Sequence, residues 1–458
     1  MSKKLWGTRF PKRTSLLTDR FTSSISYDQR LAKYDCLGSI AHARMLGRQR
    51  IIPLKDASLI VKGLESILKD VVNGKFKFDL NQEDVHSNIQ DALFKKIGRS
   101  ADKLHTARSR NDQVVLDVKM FMRDEVNEFL RLITLLQKSI LKFAENNSQV
   151  IIPGYTHLQM AQCVLLAHHL LAYIECMERD KERLKDSQKR LSLMPLGSCA
   201  LSGTSLPISR EQVRVELGFG ALTGNSIDSV SDRDFIIEFL AGLSILSVHL
   251  SRLAEDLILW STKEFNFIDI DYSFCTGSSI MPHKKNPDVL ELIRGSTGKI
   301  QGSLSCMLML MKGLPLSYNR DLQLDKPALF DAADTMKSVL EIFAELFQNI
   351  AVEKDTIALK ITDESLFSVD IVEYLIKKGE PYRQAHDIVG RMFRDCSGKE
   401  RRISDLSVSE LKKYSSKLEL DVKKILNALA SVGLKTSFGG TSPRLVSRQL
   451  KNWSKKLK

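Results

Sequence analysis

The eleven residues GSSIMPHKKNP, 277–287, set two serines, a histidine, two lysines and an asparagine between Gly277 and Pro287. Glycine and proline at the ends favour a loop, because one permits unusual backbone angles and the other removes a backbone donor. Hydroxyl, amide and ammonium groups on a loop can hold and activate a small polar ligand. By composition alone the segment is an ordinary solvated loop, so its meaning depends on what accompanies it. Four more polar islands do: HTARSRNDQ (105–113), GYTHLQMAQ (154–162), SVSDRDF (229–235) and YNRDLQLDK (318–326). Their Arg and Lys residues suit carboxylates, and their Asn, Thr and Gln residues suit orienting them. The expected ligand is a small molecule with several carboxylates.

Helix capping is the simpler account of Ser, Thr, Asn and Asp in such islands, and Ser231 and Thr106 fit it. Capping does not call for Arg108, Arg110 and Asn111 clustered beside His105, nor for THLQ directly after Pro153 and Gly154. A lone His157 is more often structural than catalytic. His168 and His169 are adjacent within a helical stretch, point in different directions and are read as structural.

The elements that must carry these islands are long helices. Residues 99–152, 158–194, 243–276 and 328–378 contain neither glycine nor proline, and such lengths suit helices better than strands. Within 113–145, Val118, Met122, Val126, Phe129, Ile133, Leu136 and Ile140 form one apolar stripe, the mark of a rod buried along its length. Several such rods imply an all-α bundle, and rods this long suit the core of an oligomer. Three regions follow: a mostly helical N-terminal domain at 1–107, a central long-helix bundle at 108–360 and a small helical C-terminal domain at 361–458. No internal repeat is present.

With 458 residues, 43% of them hydrophobic and 27% charged, the chain can bury a large core. The net charge is +13, but the basic residues are dispersed and accompany no helix-turn-helix, RNP or zinc-finger pattern, which excludes a nucleic-acid role. No run approaches about 18 uninterrupted apolar residues, so no membrane association is expected. The opening MSKKLWGTRFPKR is basic, yet Trp6, Phe10 and Pro11 fit a transit helix poorly. Seven scattered cysteines without a CxxC pair argue for a reducing compartment, the cytoplasm by default, and against a zinc site.

The motifs carry a resemblance running nearly end to end. LWGTRF (5–10), SISYD (24–28), EDVHSNI (83–89), HTARSRNDQV (105–114), YTHLQMAQ (155–162), NSIDSVSDRDF (225–235), the 277–287 loop, LPLSYNRDLQLDK (314–326) and KTSFGGTSP (435–443) together resemble the argininosuccinate lyase family of the aspartase/fumarase superfamily. The loop marks the superfamily, whereas HTARSRNDQ and SDRDF point to the family. The resemblance implies a reversible β-elimination of argininosuccinate to arginine and fumarate, with no cofactor and no metal. It implies Ser278 as the base, Lys284 and Asn286 as stabilisers of the developing charge, and His157 as the acid, oriented by Glu291. It further implies that Ser24, Asp28, Asn111, Thr156, Arg233, Tyr318, Gln323 and Lys326 bind substrate, with Arg110 and His86 near the carboxylates. A homotetramer whose subunits share each site is implied as well.

Four positions depart from the family pattern. His283 stands where glutamine is usual and is more like adenylosuccinate lyases, Gln90 replaces a glutamate, and Leu324 and Pro327 stand where acidic residues are common. Two other readings remain at this stage: a lyase acting on adenylosuccinate or a related fumarate adduct, and a catalytically idle, crystallin-like structural protein.

Overall fold

The computed structural model describes residues 14–458; the LWGTRF motif, with Trp6, Phe10 and Pro11, lies outside them. Five long helices dominate: Arg110–Asn146, Leu166–Leu191, Asp234–Ser261, Asp288–Met311 and Asp325–Leu346. The first has 37 residues, a rod of roughly 55 Å at 1.5 Å per residue. Its seven-residue apolar stripe from Val118 to Ile140 is buried throughout, which confirms the periodicity argument and the all-α class. Four of the polar islands end where a rod begins, at Arg110, Asp234, Asp288 and Asp325.

The fifth island corrects the glycine and proline criterion. The stretch 158–194 is not one helix, because Gln159–Leu165 is a strand paired antiparallel with Ile151–Thr156. Its two-residue turn, His157 and Leu158, has φ of 53° and 58°, the left-handed pair a tight hairpin requires. The stretches 243–276 and 328–378 likewise stop being helical at Ser261 and Leu346, and their strands Ile268–Ile270 and Ile350–Val352 then pair. Conversely, Asp288–Met311 is a rod despite Gly295, Gly298 and Gly302. Each glycine costs a helix about 1 kcal/mol, but the buried stripe Leu290, Ile293, Ile300 and Met307 outweighs that locally.

The described residues form two compact units. One comprises the chain through Leu130 with Glu182–Ser244 and Gly298–Thr335. Here the helices Ala32–Arg48, Leu54–Val72 and Val85–Ile97 pack on Leu31, Leu46, Ile60, Leu64 and Leu93, all essentially without exposure. Gly47 and Gly63 permit this approach, since a Cβ there would come within 2.6 Å of Ala57 and Leu93 respectively. Asp84 caps Val85–Ile97 by accepting the Ser87 N–H at 2.6 Å, which sets His86 in the first turn.

The other unit comprises Arg131–Lys181, Ile245–Thr297 and Met336–Lys458. Its C-terminal part closes on Leu366, Phe367, Ile371, Leu375, Met392, Leu411 and Val422. The last helix, Pro443–Lys456, is tied to Leu166–Leu191 by Trp453 Nε1 donating to Glu175 and by Lys456 beside Glu178, both at 3.2 Å. The helix Asp234–Ser261 is long and apolar enough to cross a membrane by length and composition alone. Half of its most apolar window is buried inside the protein. In the second unit its His249 pairs with Asp180, and its Asp256 with His169 and Tyr173, as expected of a core rod.

Neither Thr106 nor Ser231 caps a helix N-terminus. Thr106 follows the 3-10 turn Gly98–His105, and Ser231 ends the short helix Ser226–Ser231, its hydroxyl returning to the Ile227 carbonyl.

Candidate active site

The expected site residues fall into two groups, one in each unit. In the first unit the Ser24 hydroxyl donates to Asp28 at 2.6 Å, and the other Asp28 oxygen accepts the Val85 N–H at 3.1 Å. Burial raises the pKa of Asp28, while Ser24 and then His86 oppose the rise. Arg110 opens the first rod; its Nε lies 3.4 Å from Asp84 and its Nη2 donates to Ser87 at 3.3 Å. Asn111, one residue on, donates to the Ala200 carbonyl at 3.0 Å.

His86 is buried, with Nδ1 at 3.2 Å from Asp35 and 3.6 Å from Asp117. Burial works to raise Asp35, but His86, Arg108 and Gln113 together hold it down at about 2. Asp117 goes the other way: burial, then the neighbouring Asp35 charge, push it well above the usual carboxylate range. Both Asp117 oxygens lack a hydrogen-bond partner among the described residues, which suits a neutral acid better than an anion. These three residues place one ligand atom each within 4.8 Å of one another, spacing that a cation could use. The buried Arg108 guanidinium, bound to Ser39 at 2.7 Å, already supplies positive charge there.

Around the start of the last rod, Lys326 Nζ donates to Asp325 at 2.6 Å, and Arg233 Nε donates to the other Asp325 oxygen at 2.6 Å. Gln323 donates to the Thr22 carbonyl at 3.0 Å, and Arg320 reaches both that carbonyl, at 2.6 Å, and Glu83, at 2.9 Å. Burial raises Tyr318 to about 12, with Arg320, Asp325 and Arg233 all within electrostatic reach. Thus Ser24, Asp28, His86, Arg110, Arg233, Tyr318, Gln323 and Lys326, though spread over three hundred residues of sequence, share one unit. Cations and neutral donors in such company suit carboxylate binding.

In the second unit the 277–287 segment is a loop, closed at its base by the Thr276–Asn286 bridge. The Ser278 hydroxyl oxygen accepts two backbone N–H groups, from Met281 at 3.0 Å and Ile280 at 3.3 Å. Donors aimed at an oxygen favour its anionic form, which is what a serine needs to act as a base. Lys284 is exposed, and its neighbour Lys285 is held by Asp269 at 2.8 Å. Asn286 donates its amide to the Gly277 carbonyl at 3.3 Å. Glu291, in the first turn of Asp288–Met311, has Arg294 at 4.0 Å. Thr156 and His157 are exposed at the hairpin tip; among the described residues no hydrogen bond joins His157 to Glu291.

Of the departures, Gln90 donates to the Ala101 carbonyl at 3.1 Å, a bond no carboxylate could make. Pro327 sits in the first turn of its helix, where no N–H is needed. Leu324 and His283 are exposed. Sequence reasoning passed over Asp35, Asp117 and Asp325. Asp117 gave a signal, a lone carboxylate inside the apolar run VVLDVKMFM, and Asp325 lies within a polar island already noted.

The family profile described as Lyase matches residues 8–302, and that described as Argininosuccinate lyase C-terminal matches residues 366–433. The argininosuccinate lyase of Geotalea daltonii is 50% identical over 451 residues, 98% of each chain. That of Pelotomaculum thermopropionicum is 47% identical over 455 residues, 99% of each chain. Among solved structures, an EDDS lyase in complex with formate superposes with a TM-score of 0.85 at 24% identity, over 96% of this chain and 88% of that one. A class II fumarase from Schistosoma mansoni gives 0.75 at 17% identity, over 88% and 91%. These two likenesses show the fold.

Proposed function

The chain belongs to the argininosuccinate lyase family of the aspartase/fumarase superfamily, and from that premise we propose which of its residues carry the reaction. The reaction is the reversible β-elimination of argininosuccinate to arginine and fumarate, a carbon–nitrogen lyase step of arginine biosynthesis. Its difficulty is acidity, because the proton leaves a carbon next to a carboxylate and the electron pair spreads into that carboxylate. Fixed positive charge and donors must meet this second negative charge.

Ser278 takes the proton, and Lys284 and Asn286 face the charge that develops. The electron pair then forms the carbon–carbon double bond as the carbon–nitrogen bond breaks, and His157 protonates the departing guanidinium nitrogen. Glu291 orients the His157 ring across a subunit boundary. Ser24, Asp28, Asn111, Thr156, Tyr318, Gln323 and Lys326 bind substrate, with Arg110 and His86 near its carboxylates and Arg233 behind Lys326. The active form is a cytoplasmic homotetramer with shared sites. Residues 1–107, 108–360 and 361–458 are its three consecutive regions, the middle one forming the oligomer core. The observation supporting the base is the pair of backbone N–H groups on Ser278 Oγ.

The test follows fumarate by ultraviolet absorbance, from argininosuccinate and separately from adenylosuccinate. Wild type releases fumarate only from the first. Ser278→Ala and His157→Asn each lower turnover by about 10²–10⁴-fold, the usual contribution of general acid–base catalysis. Mixed oligomers of the two variants recover part of it. Unchanged turnover in Ser278→Ala overturns the base, and no recovery in verified mixed oligomers overturns shared sites.

A further inference from the structure

Two cations meet one carboxylate at the start of the last rod. Asp325 is fully buried, Arg233 is 1% exposed and Lys326 2%. Arg233 spends Nε on Asp325 and Nη1 on the Asp232 and Val230 carbonyls, at 2.8 and 3.4 Å. Its remaining nitrogen, Nη2, is buried with no hydrogen-bond partner among the described residues. Lys326 spends its ammonium on Asp325 at 2.6 Å and on the Leu322 carbonyl at 3.4 Å. An ion pair this deep is strongly disrupted when one partner is lost, because a bare charge is left behind. With one negative and two positive charges, the group carries a net positive charge toward Asp28, whose carboxylate feels Lys326.

We propose that Asp325 is a positioning residue of the reaction: one oxygen fixes the Lys326 ammonium, the other is fixed by Arg233, and Arg233 thereby acts on substrate through Asp325 rather than by touching it. The inference rests on the assignment of Lys326 to substrate binding. It explains why a guanidinium as enclosed as that of Arg233 lies in the SDRDF island at all. Arg233 belongs to the backing of the site.

The experiment is a double-mutant cycle on the full-length oligomer, with KM and kcat for argininosuccinate measured in wild type, Lys326→Met, Asp325→Asn and the double variant. Lys326→Met and Asp325→Asn each raise KM about tenfold or more with a smaller change in kcat. The double variant is within about threefold of Lys326→Met, because Asp325 has no other route to the substrate. Losses that multiply overturn the proposal and make Asp325 a purely structural residue. A harmless Lys326→Met removes the assignment of Lys326, and the proposal with it. Should Asp325→Asn fail to assemble, Asp325→Glu and Arg233→Lys enter the same cycle. Each then raises KM several-fold alone and adds nothing to Lys326→Met, and an added loss again overturns the proposal.

Discussion

The Ser278 hydroxyl oxygen accepts the backbone N–H of Met281 at 3.0 Å. With the Ile280 N–H at 3.3 Å, it holds two donors before any substrate arrives, which lowers the cost of turning a hydroxyl into a base. Ile280 is 82% exposed, so its side chain contributes little packing and its N–H can be tested alone. Ile280→Ala, which keeps the N–H, leaves kcat within about twofold. Ile280→Pro, which removes it, lowers kcat roughly tenfold or more, below the loss for a full oxyanion donor because 3.3 Å is a long bond. Steady-state kinetics decide, and equal kcat in both variants rejects the activating role.

The hairpin tip stores strain. Both His157 and Leu158 have left-handed φ, a conformation that costs a non-glycine residue roughly 1–2 kcal/mol. Leu158→Gly relieves part of that cost and raises the melting temperature by a few degrees. With His157 as the proposed acid, it also lowers kcat, because a glycine turn fixes the imidazole less tightly. Differential scanning calorimetry with parallel kinetics tests this, and a lower melting temperature would falsify the strain argument.

Asp35 and Asp117 carry opposite pH signatures. Asp35 ionises at about 2 in the folded chain, below its unfolded value of about 3.9. Its contribution to stability is therefore present above about pH 4 and lost as pH falls toward 2. Asp117, whose pKa burial and then the Asp35 charge raise, keeps its proton to higher pH folded than unfolded, so its contribution is present below about pH 4 and declines as pH rises. At pH 7, Asp35→Asn lowers the melting temperature by several degrees, whereas Asp117→Asn, which mimics the neutral acid, is neutral or stabilising. Melting curves of wild type and both variants at pH 7 and pH 3 give the signs; a large loss in Asp117→Asn at pH 7 means that the residue is ionised there.

The rods were legible because burial along a helix writes a 3.6-residue period into the sequence, as from Val118 to Ile140. Reading them from missing glycine and proline succeeded less well. Asp288–Met311 contains three glycines, and 158–194 begins with a strand. Nothing in THLQ has the Asn-Gly or Asp-Gly signature of a tight turn, so the hairpin was hidden.

What the sequence by itself determined is the family, through motifs that match as local strings, and the long-helix class, through periodicity. Only the tertiary structure decided which charge neutralises which. Arg233 meets Asp325 across 92 positions, and His86 lies against Asp35 and Asp117 from two other helices. Electrostatic partnership depends on distance and burial in space, and a residue string encodes neither until packing brings the chain together.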